Sequence, residues 1–327
     1  MPAADGYAVD ERFYRWAPGA PGSRTRFAAK LAQHVPDMLR YRGPARRADV
    51  VHFQWLTVQP LDVHLLPAVH PLVLTAHDVL PREPRPGQLA AQRRLYERVD
   101  AVVVHSHTGA ERLRALGVPD ERVHVIPHGA FTHLTALPSA PLPAPLAAFE
   151  GPVVLFFGLL RPFKGLDVLL EAWRGIAGAE LWIVGMPRMD LEAVRALAPA
   201  GVRFVPRFVT DEELAALFRR ADVAVVPYRQ ADQSGVLFTA LAFATPLVAS
   251  DVGGFGEVAA TGAAEVVAPG DAVALHDALA GLLADPERRD RMAAAARAAA
   301  ETTYAWDAIA KRTLALYEDL LRHNAAP

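Results

Sequence analysis

Cysteine is absent from the 327-residue chain, which excludes disulfides, cysteine-ligated zinc and thiol catalysis. Lysine is nearly absent: of 34 basic residues 31 are Arg, and the three lysines are Lys30, Lys164 and Lys311. No apolar run approaches the ~18 residues that a membrane-crossing helix needs. The opening stretch MPAADGYAVDERFYRW has no basic region followed by an apolar one, so it shows no signal peptide. Neither sign of charge dominates. With 34 basic and 36 acidic residues the formal net charge is −2, which gives no pointer to a nucleic-acid partner. No Asp-x-Asp pair of the metal-holding kind occurs. These absences predict a cytoplasmic protein, with a peripheral membrane contact through a surface helix left open.

What is present is a globular composition, 52% hydrophobic and 21% charged, with a length that suits two domains. Short β-branched runs at 48–55, 70–78, 99–106 and 121–129 read as strands. Helical patterns at 87–99 and 107–117 fall between them. The segment 133–152 is rich in Pro and Ala without periodicity and predicts a linker and domain boundary. The alternation then restarts, with strands expected at 152–158, 179–185, 202–208, 221–228, 245–251 and 263–269. Helices are expected at 165–173, 211–221, 235–243 and, long and amphipathic, at 304–323. Strands alternating with helices predict parallel sheets. The fold class is therefore α/β, two Rossmann-like doubly wound domains: 1–135, joined by the C-terminal helix 304–324, and 136–303.

Chemistry concentrates at strand ends. In VVLFFGLLRPFKGLDVLLEAW (153–173), Gly158 ends an apolar run and Arg161, Lys164 and Gly165 precede a helix. Ligands of open α/β sheets sit beyond the carboxyl ends of the strands. Two cations at a helix N-terminus are unfavourable unless an anion joins them, and a diphosphate is the natural one. In a chain that uses Arg by default, a compact Lys ammonium inside a glycine turn stands out. The reading to set against this is a solvated turn. Ser234, Gly235 and Val236 open a second helix; their amides suit phosphate oxygens, and the Ser234 hydroxyl equally suits an N-cap. The turn DVGGFGE at 251–257 ends on an acid.

The segments FFGLLRPFKGLDVLLEAW, DEELAALFRRADVAVVPY and SGVLFTALAFATPLVASDVGGFGE resemble the GT-B glycosyltransferases of family 4, over nearly the whole chain. The resemblance implies transfer of a sugar from a nucleotide donor, UDP or GDP, to an acceptor hydroxyl with retention and without a metal or other cofactor. The acceptor is a saccharide, a lipid-linked saccharide or a small molecule. It implies diphosphate contacts from Arg161 and Lys164, a nucleobase flanked by Phe208 and Val209, and phosphate amides at Ser234 to Val236. His77, at the end of a strand, takes the role of a histidine contacting the donor sugar, with Asp78 to orient its ring. His128 is a further candidate for donor or acceptor. Gln54 and Trp55 are candidates for the acceptor pocket, a packed Trp55 being the other reading. The histidines at 105, 107 and 128 lack the supporting cluster of a metal site.

The chain departs from the family pattern at two places. The family's two glutamates, with seven residues between them, fall here on Ala231 and Thr239. Asp232 is expected to stand in for the first acid, and the Thr239 hydroxyl to serve the ribose. The first βα unit of the family also has no counterpart, so the first domain reads as shortened, either by a late start or by real loss. Two alternatives follow: a catalytically inactive or incomplete GT-B nucleotide-binding or partner subunit, and a sugar-nucleotide epimerase.

Overall fold

The computed structural model describes residues 7–20, 23–138, 140–146 and 148–325. Residues 1–6 of the stretch read for a signal peptide, and Ser139 and Ala147 of the expected linker, lie outside the described residues. The chain divides into two compact units. The first takes in the chain to Val103, Leu113–His124 and the chain from Ala315; the second takes in Val104–Arg112 and Val125–Leu314.

In the first part of the chain, α1 (Arg24–Ala45) precedes β1 (Val51–Phe53), α2 (Gln59–Leu65), β2 (Leu72–Thr75), α3 (Gln88–Arg98), β3 (Ala101–Val104), α4 (His107–Ala115) and β4 (Val123–Val125). The four strands form one parallel sheet in chain order. The first described element is thus a helix, not a strand. It was not anticipated because Pro36 and Pro44 lie inside it and break its pattern. Its His34 is buried and bridges the Tyr14 hydroxyl (2.6 Å) and Asp62 Oδ1 (2.6 Å), and Asp62 Oδ2 accepts from the Val58 amide (2.7 Å). A buried carboxylate is tolerated when its oxygens are satisfied in this way.

The rest follows a strict rhythm: β5 (Val153–Phe157), α5 (Leu166–Ala172), β6 (Glu180–Val184), α6 (Glu192–Ala196), β7 (Val202–Val205), α7 (Asp211–Arg220), β8 (Val223–Val226), α8 (Gly235–Ala242), β9 (Leu247–Ser250), α9 (Phe255–Ala259) and β10 (Ala264–Val267), closed by α10 (Ala272–Ala284), α11 (Pro286–Glu301) and α12 (Trp306–Ala325). Strands β5, β6, β8 and β9 are apolar and buried almost throughout, as strands covered on both faces must be. Trp173, Trp182, Phe156 and Phe218 fill the layers between sheet and helices. The sheet order is β10-β9-β8-β5-β6-β7, all parallel. Counted from β5, this is the doubly wound order 6-5-4-1-2-3, whose reversal falls between β5 and β8.

The segment expected as a linker is fastened to the second unit. Leu134 and Leu146 are buried, Arg219 donates to the carbonyls of Thr135 and Leu137, and Arg220 to those of Phe149 and Gly151. The long continuous stretch of the second unit, Val125–Leu314, takes in the whole of this segment. Among the described residues no helix is long and apolar enough to cross a membrane.

Candidate active site

The order reversal places one set of residues together in the second unit. Gly158 follows β5 with φ +117°, and a Cβ there would stand 2.9 Å from Lys164 Nζ and 3.7 Å from Val236 Cγ2. The strand end, the lysine and the first turn of α8 thus converge on one glycine. Lys164 closes a 3-10 turn, Pro162–Lys164, whose preceding residue is Arg161. Its ammonium lies over the Tyr228 ring, 4.6 Å from the centroid, which leaves the N–H donors available. Neighbouring arginines are committed elsewhere: Arg229 to Asp167 (2.5 Å), Arg203 to Glu180 (2.8 Å) and Arg207 to Glu213 (2.7 Å). Among the described residues no carboxylate pairs with Arg161 or Lys164. Two unpaired cations beside the switch point of a doubly wound sheet are what an anionic ligand requires.

Several expected contacts take a different form. Gly165 was read as opening an anion site, but its amide already donates to the Pro162 carbonyl (3.3 Å). Its φ is +68°, and a Cβ would overlap the Pro227 carbonyl oxygen, so glycine is required there by the close approach of β8. At the start of α8 the Ser234 hydroxyl accepts from the Val236 amide (3.3 Å), and the Ser234 amide donates to Gln233 Oε1 (2.9 Å). Two of the three amides expected to hold phosphate are therefore occupied, one by the cap and one by the Gln233 side chain, and a ligand must displace those bonds. Thr239 is 5% exposed and donates its hydroxyl to the Gly235 carbonyl (2.9 Å). Buried in α8, it offers a ribose lone pairs and no proton. Val209 packs into the core, whereas Phe208 keeps 68% of its surface exposed, so of the pair expected to flank a nucleobase only the Phe208 ring is displayed.

The acid expected to replace a glutamate is also engaged. Asp232 is 9% exposed, and its Oδ1 accepts from Arg112 Nη1 on α4. Glu257, the acid of the glycine turn, accepts the His107 amide (2.7 Å) at the start of the same helix, where a carboxylate is favoured. His128, a candidate for substrate contact, is half-buried among aromatic rings. Its ring lies 5.0–5.7 Å, centroid to centroid, from Phe238, Phe131 and Trp306, and its Nδ1 bonds the Gly129 carbonyl (2.8 Å). Burial pushes its pKa below the usual range.

The first unit holds a pocket of about 170 Å³ between the end of β2 and helices α2 and α3. Gln54, Trp55, His77 and Asp78 all line it, as do Gln59, Gln88 and Gln92, which the sequence pattern did not single out. A signal was there: Gln88 and Gln92 stand four residues apart on α3 and share a face. The Trp55 and His77 rings lie 5.5 Å apart, tilted by 39°, and Trp55 is 64% exposed rather than packed. Asp78 Oδ1 accepts from Arg82 Nη2 (2.5 Å). Below the pocket, His52 bridges the hydroxyls of Tyr317 (2.6 Å) and Thr75 (2.7 Å). Burial, with His77 nearby, lowers its pKa to about 4, so it is neutral near pH 7.

Residues 151–285 match the family described as "Glycosyl transferases group 1", and residues 2–133 match "Glycosyltransferase Family 4". The chain is 31% identical over 308 residues to the D-inositol 3-phosphate glycosyltransferase of Xylanimonas cellulosilytica, covering 85% of this chain and 73% of that protein. It is 38% identical over 205 residues to the phosphatidyl-myo-inositol mannosyltransferase of Mycobacterium leprae, covering 59% of this chain and 52% of that protein. Among solved structures, sucrose-phosphate synthase from Thermosynechococcus elongatus superposes with a TM-score of 0.74 at 23% identity, over 90% of this chain and 80% of that one. HepE from Anabaena, in complex with UDP and glucose, superposes with a TM-score of 0.72 at 20% identity, over 89% and 83%.

Proposed function

Because the chain belongs to the family 4 glycosyltransferases of GT-B fold, we propose that it moves a sugar from a UDP or GDP donor to an acceptor hydroxyl, with retention and without a metal ion. The observation that carries this is the pair of cations, Arg161 and Lys164, which pair with no carboxylate among the described residues, the Lys164 ammonium lying beside Gly158 and the first turn of α8. Breaking the bond from the anomeric carbon to the diphosphate builds positive charge on the sugar and negative charge on the leaving group. Arg161 and Lys164 stabilise the departing diphosphate, which is the charge a metal supplies in other enzymes. The exposed Phe208 ring offers a face to the base. In the first unit, His77 and the residues around it receive sugar hydroxyls. Retention follows a front-face route in which the leaving phosphate helps deprotonate the acceptor.

A second reading has its own observation. Ala231 and Thr239 stand where the family has glutamates, and Asp232 is tied to Arg112. A subunit that binds nucleotide without turning it over fits those residues.

Thermal unfolding with UDP, GDP, ADP and dTDP, with and without magnesium, tests the donor site. Ligand at ~100 times its dissociation constant stabilises the folded chain by about 2.7 kcal/mol. A shift with UDP or GDP that ignores magnesium and disappears in the Arg161→Ala, Lys164→Ala variant is expected. No shift with any diphosphate in a cooperatively folding chain defeats the proposal. Binding without sugar transfer to any acceptor selects the second reading.

A further inference from the structure

We propose that the pocket of the first unit selects an uncharged, hydroxyl-rich ring, a polyol or an unphosphorylated sugar, and rejects its phosphorylated counterpart. This rests on the glycosyltransferase reading and names its acceptor class.

Gln92 carries most of the weight. Its side chain is on the pocket wall and only 7% exposed, yet its amide makes no hydrogen bond to the protein among the described residues. The amide atoms keep access to the pocket, so a ligand there can supply the partners that a largely buried amide needs. A primary amide offers an acceptor oxygen and two N–H donors, and a hydroxyl both donates and accepts, so the two are complementary. The neighbouring amides are already set in place. Gln88 Nε2 donates to Gln59 Oε1 (2.9 Å), Gln88 Oε1 accepts from the Arg85 amide (3.0 Å), and Gln59 Nε2 donates to the Leu56 carbonyl (3.1 Å). Fixed side chains lose little entropy when a ligand binds.

The remaining features set shape and charge. Trp55 displays an aromatic ring at the wall, against which the apolar C–H face of a sugar or polyol ring can lie. A volume of about 170 Å³ is below the ~300–1,000 Å³ of sites for drug-sized ligands and suits one ring. Among the described residues no Lys or Arg lines the pocket, and Asp78 is the one carboxylate that does. Phosphate recognition relies on Arg or Lys. The nearest cation, Arg82, is already held by Asp78 at 2.5 Å, so a phosphorylated ring would have to compete with that carboxylate for it.

The test is titration calorimetry on the full chain, saturated with whichever nucleoside diphosphate stabilises it. The probes are myo-inositol, glucose, mannose and galactose against D-myo-inositol 3-phosphate and the corresponding sugar 1-phosphates. At least one neutral probe should bind about tenfold or more tightly than its phosphorylated counterpart. Gln92→Leu should weaken that probe by about tenfold. Trp55→Ala, an exposed position where folding is safe, should weaken it too, and both variants should keep the diphosphate-induced thermal shift. Asp78→Asn should narrow the gap between neutral and phosphorylated probes. Tighter binding of the phosphorylated probes, no binding of any neutral probe, or wild-type binding by Gln92→Leu overturns the inference while leaving the donor site intact. Loss of the diphosphate shift in the unmodified chain brings down the glycosyltransferase reading instead.

Discussion

Arg112 Nη1 donates to Asp232 Oδ1, joining α4 to the loop before α8 across 120 residues of sequence. The carboxylate is almost fully buried and the guanidinium half-exposed. A charge-assisted bond of this kind contributes ~1.5–3 kcal/mol where water is excluded and less where it is not. Arg112→Ala should therefore lower stability by about 1–2 kcal/mol in urea unfolding. Adding Asp232→Asn should restore part of the loss, because the unpaired carboxylate goes with it. Additive losses in the double variant would show that the two side chains are not coupled.

Gly158 tests the donor site through backbone geometry. At φ +117° any side chain is strained, and its Cβ would crowd Lys164 Nζ at 2.9 Å. Gly158→Ala should cost roughly 1–2 kcal/mol of stability and weaken diphosphate binding as the lysine is displaced. Lys164→Met removes the charge without touching the backbone. If the transferase proposal holds, it should reduce kcat by about 100–1,000-fold, the usual loss for one transition-state donor. An unchanged kcat in Lys164→Met would assign leaving-group stabilisation elsewhere.

The ten strands among the described residues were legible as short runs between turn residues: β2, β3, β5, β6, β8 and β9 are apolar runs buried on both faces, and β1, β4, β7 and β10, only partly buried, were marked by their β-branched and aromatic residues. Long-range partners were not legible. Nothing near Asp232 announces Arg112, and nothing in the glycine turn announces that Glu257 caps α4. Gly158, Arg161 and Lys164, the residues proposed to meet the diphosphate, were visible as a group, but the sheet order that puts them at a switch point depends on β8 pairing with β5, a non-local choice. The need for glycine at position 165 comes from the Pro227 carbonyl, a neighbour 62 residues on that the sequence does not announce. Gln92 had only a helical spacing to mark it, which a surface glutamine shares.

His52 gives the acid limb of stability a named contributor. Its folded pKa is about 4 against an unfolded value of 6.5. The unfolded chain binds the extra proton between those values, so stability rises with pH there. The contribution is complete above about pH 6.5 and is lost as pH falls through about 4, amounting to ~3 kcal/mol at the acid end. The groups facing the ring are the Tyr317 and Thr75 hydroxyls, Gln54 and His77. His52→Gln should flatten the unfolding free energy between pH 4 and 6.5 relative to the unmodified chain. An unchanged slope would mean that the imidazole is solvated in the folded state.

Phe208 separates binding from folding more cleanly than any other site residue. It is 68% exposed beside the start of α7, while its neighbour Val209 is in the core. Removing an exposed ring leaves the fold within about 0.5 kcal/mol of its starting stability. A base stacked on an aromatic ring gains ~1–3 kcal/mol from the contact. Phe208→Ala should therefore weaken the nucleoside diphosphate by about tenfold while the unfolding midpoint without ligand stays put. Phe208→Tyr, which keeps the ring, should retain affinity. Pyrophosphate serves as the control, since it lacks a base: its binding should fall in the Arg161→Ala, Lys164→Ala variant and be indifferent to Phe208→Ala. If nucleoside diphosphate and pyrophosphate respond alike to Phe208→Ala, the ring does not meet the base, and the base must be held by backbone alone.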